Sequence, residues 1–99
     1  MTYILGKAAV ADFDEWKSAF DRFDSFRTEH GQQGYQVFQS VDDPNEAVVL
    51  FEWADDEDGL AFFASEEMRE RFAEAGVSGR PDMTEMTFID QKSAHSPSA

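Results

Sequence analysis

The chain has 99 residues, the length of one domain, and carries 21 acidic against 8 basic residues for a formal charge of −13. That balance opposes binding to nucleic-acid phosphates and to anionic membrane surfaces, and no run approaches the ~18 apolar residues of a membrane-spanning helix. The absence of cysteine removes disulfides, Cys nucleophiles, Fe–S clusters and Cys-based zinc sites, while ten Phe within a 41% hydrophobic composition call for a globular core despite the charge.

The start, Met1-Thr2-Tyr3-Ile4-Leu5-Gly6-Lys7, has no basic region followed by an apolar core and a cleavage site, so no signal peptide is expected. Residues 3–10 are mostly apolar and predict a strand. Asp12, followed three positions later by Glu15, marks a helix start. Phe13, Trp16, Ala19, Phe20, Phe23 and Phe26 recur at steps of three and four and fall within an arc of roughly 140° on a helix. Gly31 ends that helix after His30 by offering the left-handed conformation of a C-terminal cap.

Residues 35–41 predict a second strand. Asp42-Asp43-Pro44-Asn45-Glu46 is a turn, and residues 47–53, β-branched and aromatic, form the clearest strand, so the pair reads as a hairpin. Asp55-Asp56-Glu57-Asp58 places carboxylates at the positive end of a helix carrying Leu60, Phe62 and Phe63. Ser65-Glu66-Glu67 then looks like a fresh cap, so a break is expected near Ser65 before a second helical stretch ending at Gly76. Gly79-Arg80-Pro81-Asp82 reads as a loop and residues 83–90 as a last strand. The domain spans 1–90, and 91–99 reads as a mobile tail without an apolar anchor.

The order β-α-β-β-α-β defines the fold class as α+β, ferredoxin-like, with a four-stranded antiparallel sheet. Right-handed crossovers put both helical segments on one sheet face. Apolar side chains nevertheless occupy both strand parities: Tyr35, Val37, Val48 and Leu50 on one, Phe38, Val49, Phe51 and Trp53 on the other. One set would be an exposed apolar patch in a monomer, so a homodimer packed sheet against sheet is expected.

Three segments carry a family resemblance: Val10-Ala11-Asp12-Phe13-Asp14-Glu15-Trp16-Lys17 with Phe20-Asp21; Gly34-Tyr35-Gln36-Val37-Phe38 leading through the turn into Val48-Val49-Leu50-Phe51-Glu52-Trp53; and Phe62-Phe63-Ala64-Ser65-Glu66-Glu67-Met68-Arg69 with Ala75-Gly76-Val77. Together, over about residues 3–90, the chain resembles the dimeric α/β-barrel superfamily in its antibiotic biosynthesis monooxygenase-like branch. The resemblance implies a homodimer whose two sheets form a barrel, with a pocket in each subunit between sheet and helices. It also implies cofactor-free oxygenation or isomerisation of an aromatic, polyketide-like small molecule whose own carbanion activates oxygen.

His30 is the only histidine inside the domain and hence the one side chain with a pKa naturally near neutrality, a candidate catalytic base; it equally suits a helix C-terminus. Trp16 and Trp53 offer aromatic walls and an indole donor to an aromatic ligand, Tyr35 a hydroxyl, and Phe20 and Phe62 apolar lining, although the same spacing serves a plain core. Catalysis needs a concave site with a convergent polar group, expected near His30, Tyr35 or Trp16. Lys7, Gln39, Glu52 and Glu85 are expected to share one sheet face as a polar layer.

No metal site is expected. Gly59 in the sixth place of a calcium loop would put Ala54 first and Ser65 twelfth, and no HExxH pair occurs. Phosphate loops and GxSxG turns are absent too, and the third strand lacks the basic aromatic motif of an RNA-recognition module of the same topology. The expected partners are a second copy of the chain and an apolar or aromatic small molecule, with no cofactor; a non-catalytic ligand-binding or stress-related dimer is the alternative. The charge is spread over turns and helix faces, with only three Lys, which resembles proteins of salt-loving cytoplasms.

Overall fold

The computed structural model describes residues 2–92, so all but the first two residues of the expected tail lie outside the described part. The elements are β1 (Thr2–Val10), α1 (Phe13–Arg22), α2 (Asp24–Glu29), β2 (Gln32–Gln39), β3 (Glu46–Trp53), α3 (Gly59–Phe63), α4 (Glu66–Glu74) and β4 (Val77–Thr87). The strands pair antiparallel in the order β2-β3-β1-β4, the ferredoxin-like sheet. No helix among the described residues is long and apolar enough to cross a membrane.

Local chemistry sets the helix starts. The Asp12 carboxylate accepts from Glu15 N–H at 3.0 Å, Asp58 from Ala61 N–H at 3.0 Å and Ser65 Oγ from Met68 N–H at 3.3 Å, each satisfying a donor the first turn leaves open. The break at Ser65 falls where the sequence puts it. A second break, at Phe23, separates α1 from α2 where one continuous helix was expected. The freed Phe20 carbonyl there accepts from Phe23 N–H at 3.3 Å and from the Arg27 side chain at 2.9 Å. Gly31, at φ +123°, follows α2 and turns the chain into β2; a Cβ there would meet Trp53 Nε1 at 2.5 Å.

The core lies between the helices and one sheet face, with Ile4, Phe51 and Trp53 from the strands against Trp16, Phe20 and Phe62 from the helices. Register corrects the expected face assignment. Tyr35 sits opposite Phe51 and Val37 opposite Val49, on the helix side, whereas Phe38 sits opposite Val48 on the open side. The six-residue link between β2 and β3 is too long to dictate register, and a shift of one residue reverses every side chain. The open face therefore carries Tyr3, Leu5, Phe38, Val48, Leu50 and Met86, with Phe38 51% exposed. The expected polar layer is split as well. Lys7 and Glu52 lie on the open face, opposite Val48 and Tyr3, while Gln39 and Glu85 lie on the helix side, opposite Ala47 and Ile4.

The expected loop at 79–82 is part of β4, which begins at Val77 and stops at Thr87 rather than Asp90. Ser78 pairs with Ala9 and Asp82 with Lys7, so Gly79, Arg80 and Pro81 stand opposite Ala8 alone. The strand bulges outward there, with Gly79 at φ +71°. A proline is tolerated because β4 is an edge strand and its missing N–H leaves no ladder bond empty.

Candidate functional site

Between the α3–α4 corner and the β4 bulge lies an open cleft of about 720 Å³, within the range of small-molecule sites. Leu60 and Phe63 of α3, Phe72 of α4, and Val77 and Met83 of β4 form its apolar walls. Both sides arise from local breaks in regular structure. At the corner Ser65 Oγ caps α4 while donating to the Phe62 carbonyl at 2.7 Å, which fixes the change of direction. On the sheet side, Met83 lies across Gly6, where a Cβ would come within 2.9 Å of its sulfur. The polar side chains at the cleft are Ser65, Arg69, Arg80 and Asp82. No group of three or more His, Cys, Asp or Glu among the described residues could hold a metal ion.

The side chains singled out from sequence lie elsewhere. Trp16, Phe20, Trp53 and Phe62 are buried in the aromatic core, and none lines the cleft. Trp53 is 0% exposed, with its ring 5.3 Å from Phe62 and 5.1 Å from Phe63, and its indole N–H has no hydrogen-bond partner among the described residues. Phe63 is thus the link between the core aromatics and the cleft wall. Tyr35 is 37% exposed and meets Phe20 edge to face at 4.9 Å. His30 is exposed at the end of α2, its ring stacked on Phe62 at 4.9 Å. Its Nδ1 lies 2.9 Å from the Phe26 carbonyl, and because a carbonyl only accepts, that nitrogen carries the proton. His30 too stands outside the cleft lining.

A second polar centre was missed at the sequence level. Arg27, on a helical position that reads as outward, is only 2% exposed. Its Nε donates to Gln32 Oε1 at 2.7 Å and its Nη1 to the Phe20 carbonyl, while its plane covers the Phe20 ring at 3.8 Å. Gln32 in turn donates to Asp24 at 2.8 Å. Arg27 Nη2 makes no hydrogen bond among the described residues, and the Asp24 carboxylate is 3.5 Å away. Burial pushes the Arg27 pKa down to about 10, with Asp24 opposing the shift, so the guanidinium stays charged near neutrality. The network ties α2 to β2 beneath Tyr35.

Three solved structures share this architecture. SnoaB, a cofactor-independent oxygenase from Streptomyces nogalater, matches with a TM-score of 0.70 and 16% identity over 91% of this chain and 94% of its own. An antibiotic biosynthesis monooxygenase-type protein from Nitrosomonas europaea matches with a TM-score of 0.63 and 18% identity over 91% and 100%. A conserved protein from Methanosarcina mazei does so with 0.64 and 17% over 86% and 89%. No curated protein matches the chain. These identities speak for the fold alone. The antibiotic biosynthesis monooxygenase family model, in contrast, matches the sequence itself over residues 7–74, ending just before β4. With more than half of its length matched in sequence and its fold shared, the chain belongs to the antibiotic biosynthesis monooxygenase family.

Proposed function

We propose that the protein is a homodimer, joined sheet to sheet as a barrel, that takes a flat apolar or aromatic small molecule into the cleft and oxygenates it without a resident cofactor. The observation that carries this reading is the cleft itself: an apolar-walled space of about 720 Å³ with few polar groups, sized for a ring system. Family membership supports the oxygenase chemistry. Such a reaction converts an acidified ring CH2 to C=O with O2 and releases one water; the substrate's own carbanion supplies the electrons.

Anthrone is a suitable probe. Its conversion to anthraquinone, followed by oxygen uptake and quinone absorbance, is expected to speed up with the protein and to slow in Ala73→Trp, which puts a bulky ring into the cleft. A ligand-binding role without turnover is the second reading, favoured by a lining that holds no His, Tyr or Lys. Anthrone binding without oxygen uptake would establish it. In the same assay His30→Gln is expected to leave the rate unchanged, because the ring packs on Phe62 outside the cleft; removal of a working general base costs roughly 100-fold or more.

The dimer reading rests on the open sheet face, which presents Tyr3, Leu5, Phe38, Val48 and Leu50 with no helix over them. Light scattering in high salt is expected to return twice the 11.2 kDa chain mass. Leu50→Asp, which puts a charge in the middle of that face, is expected to return a folded monomer; a wild-type monomer at micromolar concentration would sink the idea. The acidic surface further suits a salt-rich cytoplasm.

A further inference from the structure

The cleft inverts the charge balance of the chain. The sequence holds 21 acidic to 8 basic residues, yet the cleft lining holds two arginines, Arg69 and Arg80, to one carboxylate, Asp82. Two other surface cations are engaged, Lys17 with Asp21 at 2.8 Å and Arg22 with Glu74 at 3.7 Å, while Lys7 lies outside the cleft lining. Arg69 has only a loose contact with Glu66 at 3.9 Å, with 72% and 74% of the two side chains exposed. The Arg80 guanidinium makes no hydrogen bond or ion pair among the described residues, although carboxylates are plentiful. The β4 bulge is what places it there. Arg80 stands at the centre of the three residues opposite Ala8, beside the apolar wall of Phe63, Phe72 and Met83.

We propose that the ligand of this cleft is an apolar ring system bearing one carboxylate, with Arg80 as its anchor and Arg69 as a second cation. The inference rests on the small-molecule reading of the cleft and narrows it. A guanidinium presents two parallel N–H donors that match a carboxylate, and the apolar wall lowers the local dielectric that would otherwise weaken the pair. Asp82 limits the site to a single negative charge, which disfavours phosphates and dicarboxylates. The overall charge of −13 repels anions at long range, and molar salt removes that repulsion.

The test compares 2-naphthoate with 2-naphthamide, equal in shape and different in charge, by titration calorimetry on the full chain in 1 M KCl. Naphthoate is expected to bind at least about tenfold more tightly. Arg80→Gln should abolish that preference by weakening naphthoate alone, and Arg80→Lys should retain part of it. Equal affinities in the wild type, or a preference that survives Arg80→Gln, would overturn the anchor while leaving the cleft reading intact. Binding of neither probe, or binding undiminished in Ala73→Trp, would overturn both.

Discussion

Replacing Arg27 by Ala is expected to lower the melting temperature by about 12–24 °C. The truncation leaves the Gln32 side-chain oxygen and the Phe20 carbonyl without their donor, in surroundings where Gln32 is nearly as buried as Arg27. An unpaired buried polar group costs about 1–3 kcal/mol, and loss of the stacked guanidinium over Phe20 adds to it. A total of about 3 kcal/mol, at roughly 4–8 °C per kcal/mol for a domain of this size, produces the shift. Arg27→Met keeps the packing volume but still orphans the two acceptors, so it should cost less than Ala. Combining it with Gln32→Leu removes donor and acceptor together and should recover much of the loss. Circular dichroism melts of the set decide the matter; an Ala variant melting within about 3 °C of wild type would remove the network from the account of stability.

The pH dependence of this network follows from its folded-state pKa of about 10, which burial holds below the ordinary arginine value. The unfolded chain holds that proton more tightly than the folded one does. The group's contribution is therefore constant through neutrality, and it becomes more favourable only as pH climbs above about 10.

Raising KCl from about 10 mM to about 1 M is expected to raise the melting temperature by roughly 10 °C. None of the 21 carboxylates is buried, so they repel one another mainly through solvent. Two like charges about 10 Å apart in water repel by ~0.4 kcal/mol, and about five such pairs amount to about 2 kcal/mol. At low salt the screening length is about 30 Å and the whole surface feels that repulsion; at ~1 M it is about 3 Å and only direct neighbours do. A sheet-to-sheet dimer brings two such chains together and should tighten over the same range. A melting temperature that stays flat or falls with KCl would refute this reading of the charge.

Much of the architecture is legible in local chemistry. The run at 47–53 announces β3, and Asp12, the acidic run 55–58 and Ser65 announce three helix starts that the structure has in place. The break at Phe23 is not legible, because the apolar steps of three and four pass through it without a glycine or proline to mark it. The side on which Phe38 lies depends on hairpin register, a tertiary property. Arg27 is hidden for a related reason: its burial depends on Gln32 and a freed carbonyl, neither visible in a helical periodicity.

The site is less legible than the fold. Trp16, Phe20, Trp53 and Phe62 combine size with aromaticity, the properties that a ligand wall and a core both require, and all four are core. The cleft is instead bounded by two interruptions, Ser65 and the stretch 79–82, that a sequence reading takes for punctuation. The one chemical hint was Arg80 itself, a cation in a chain that has few.

The β4 bulge separates two kinds of selection. Arg80 and its neighbours hang from a strand with a partner on one side only, and Gly79 and Arg80 are exposed. Exchanging side chains there disturbs no buried packing, whereas Trp53 or Ile4 cannot change without loosening the whole aromatic interior. Ligand preference can thus drift, or be re-engineered, through three or four rim positions while the scaffold holds still. A library restricted to residues 79–82 is the natural place to evolve this protein toward a different guest.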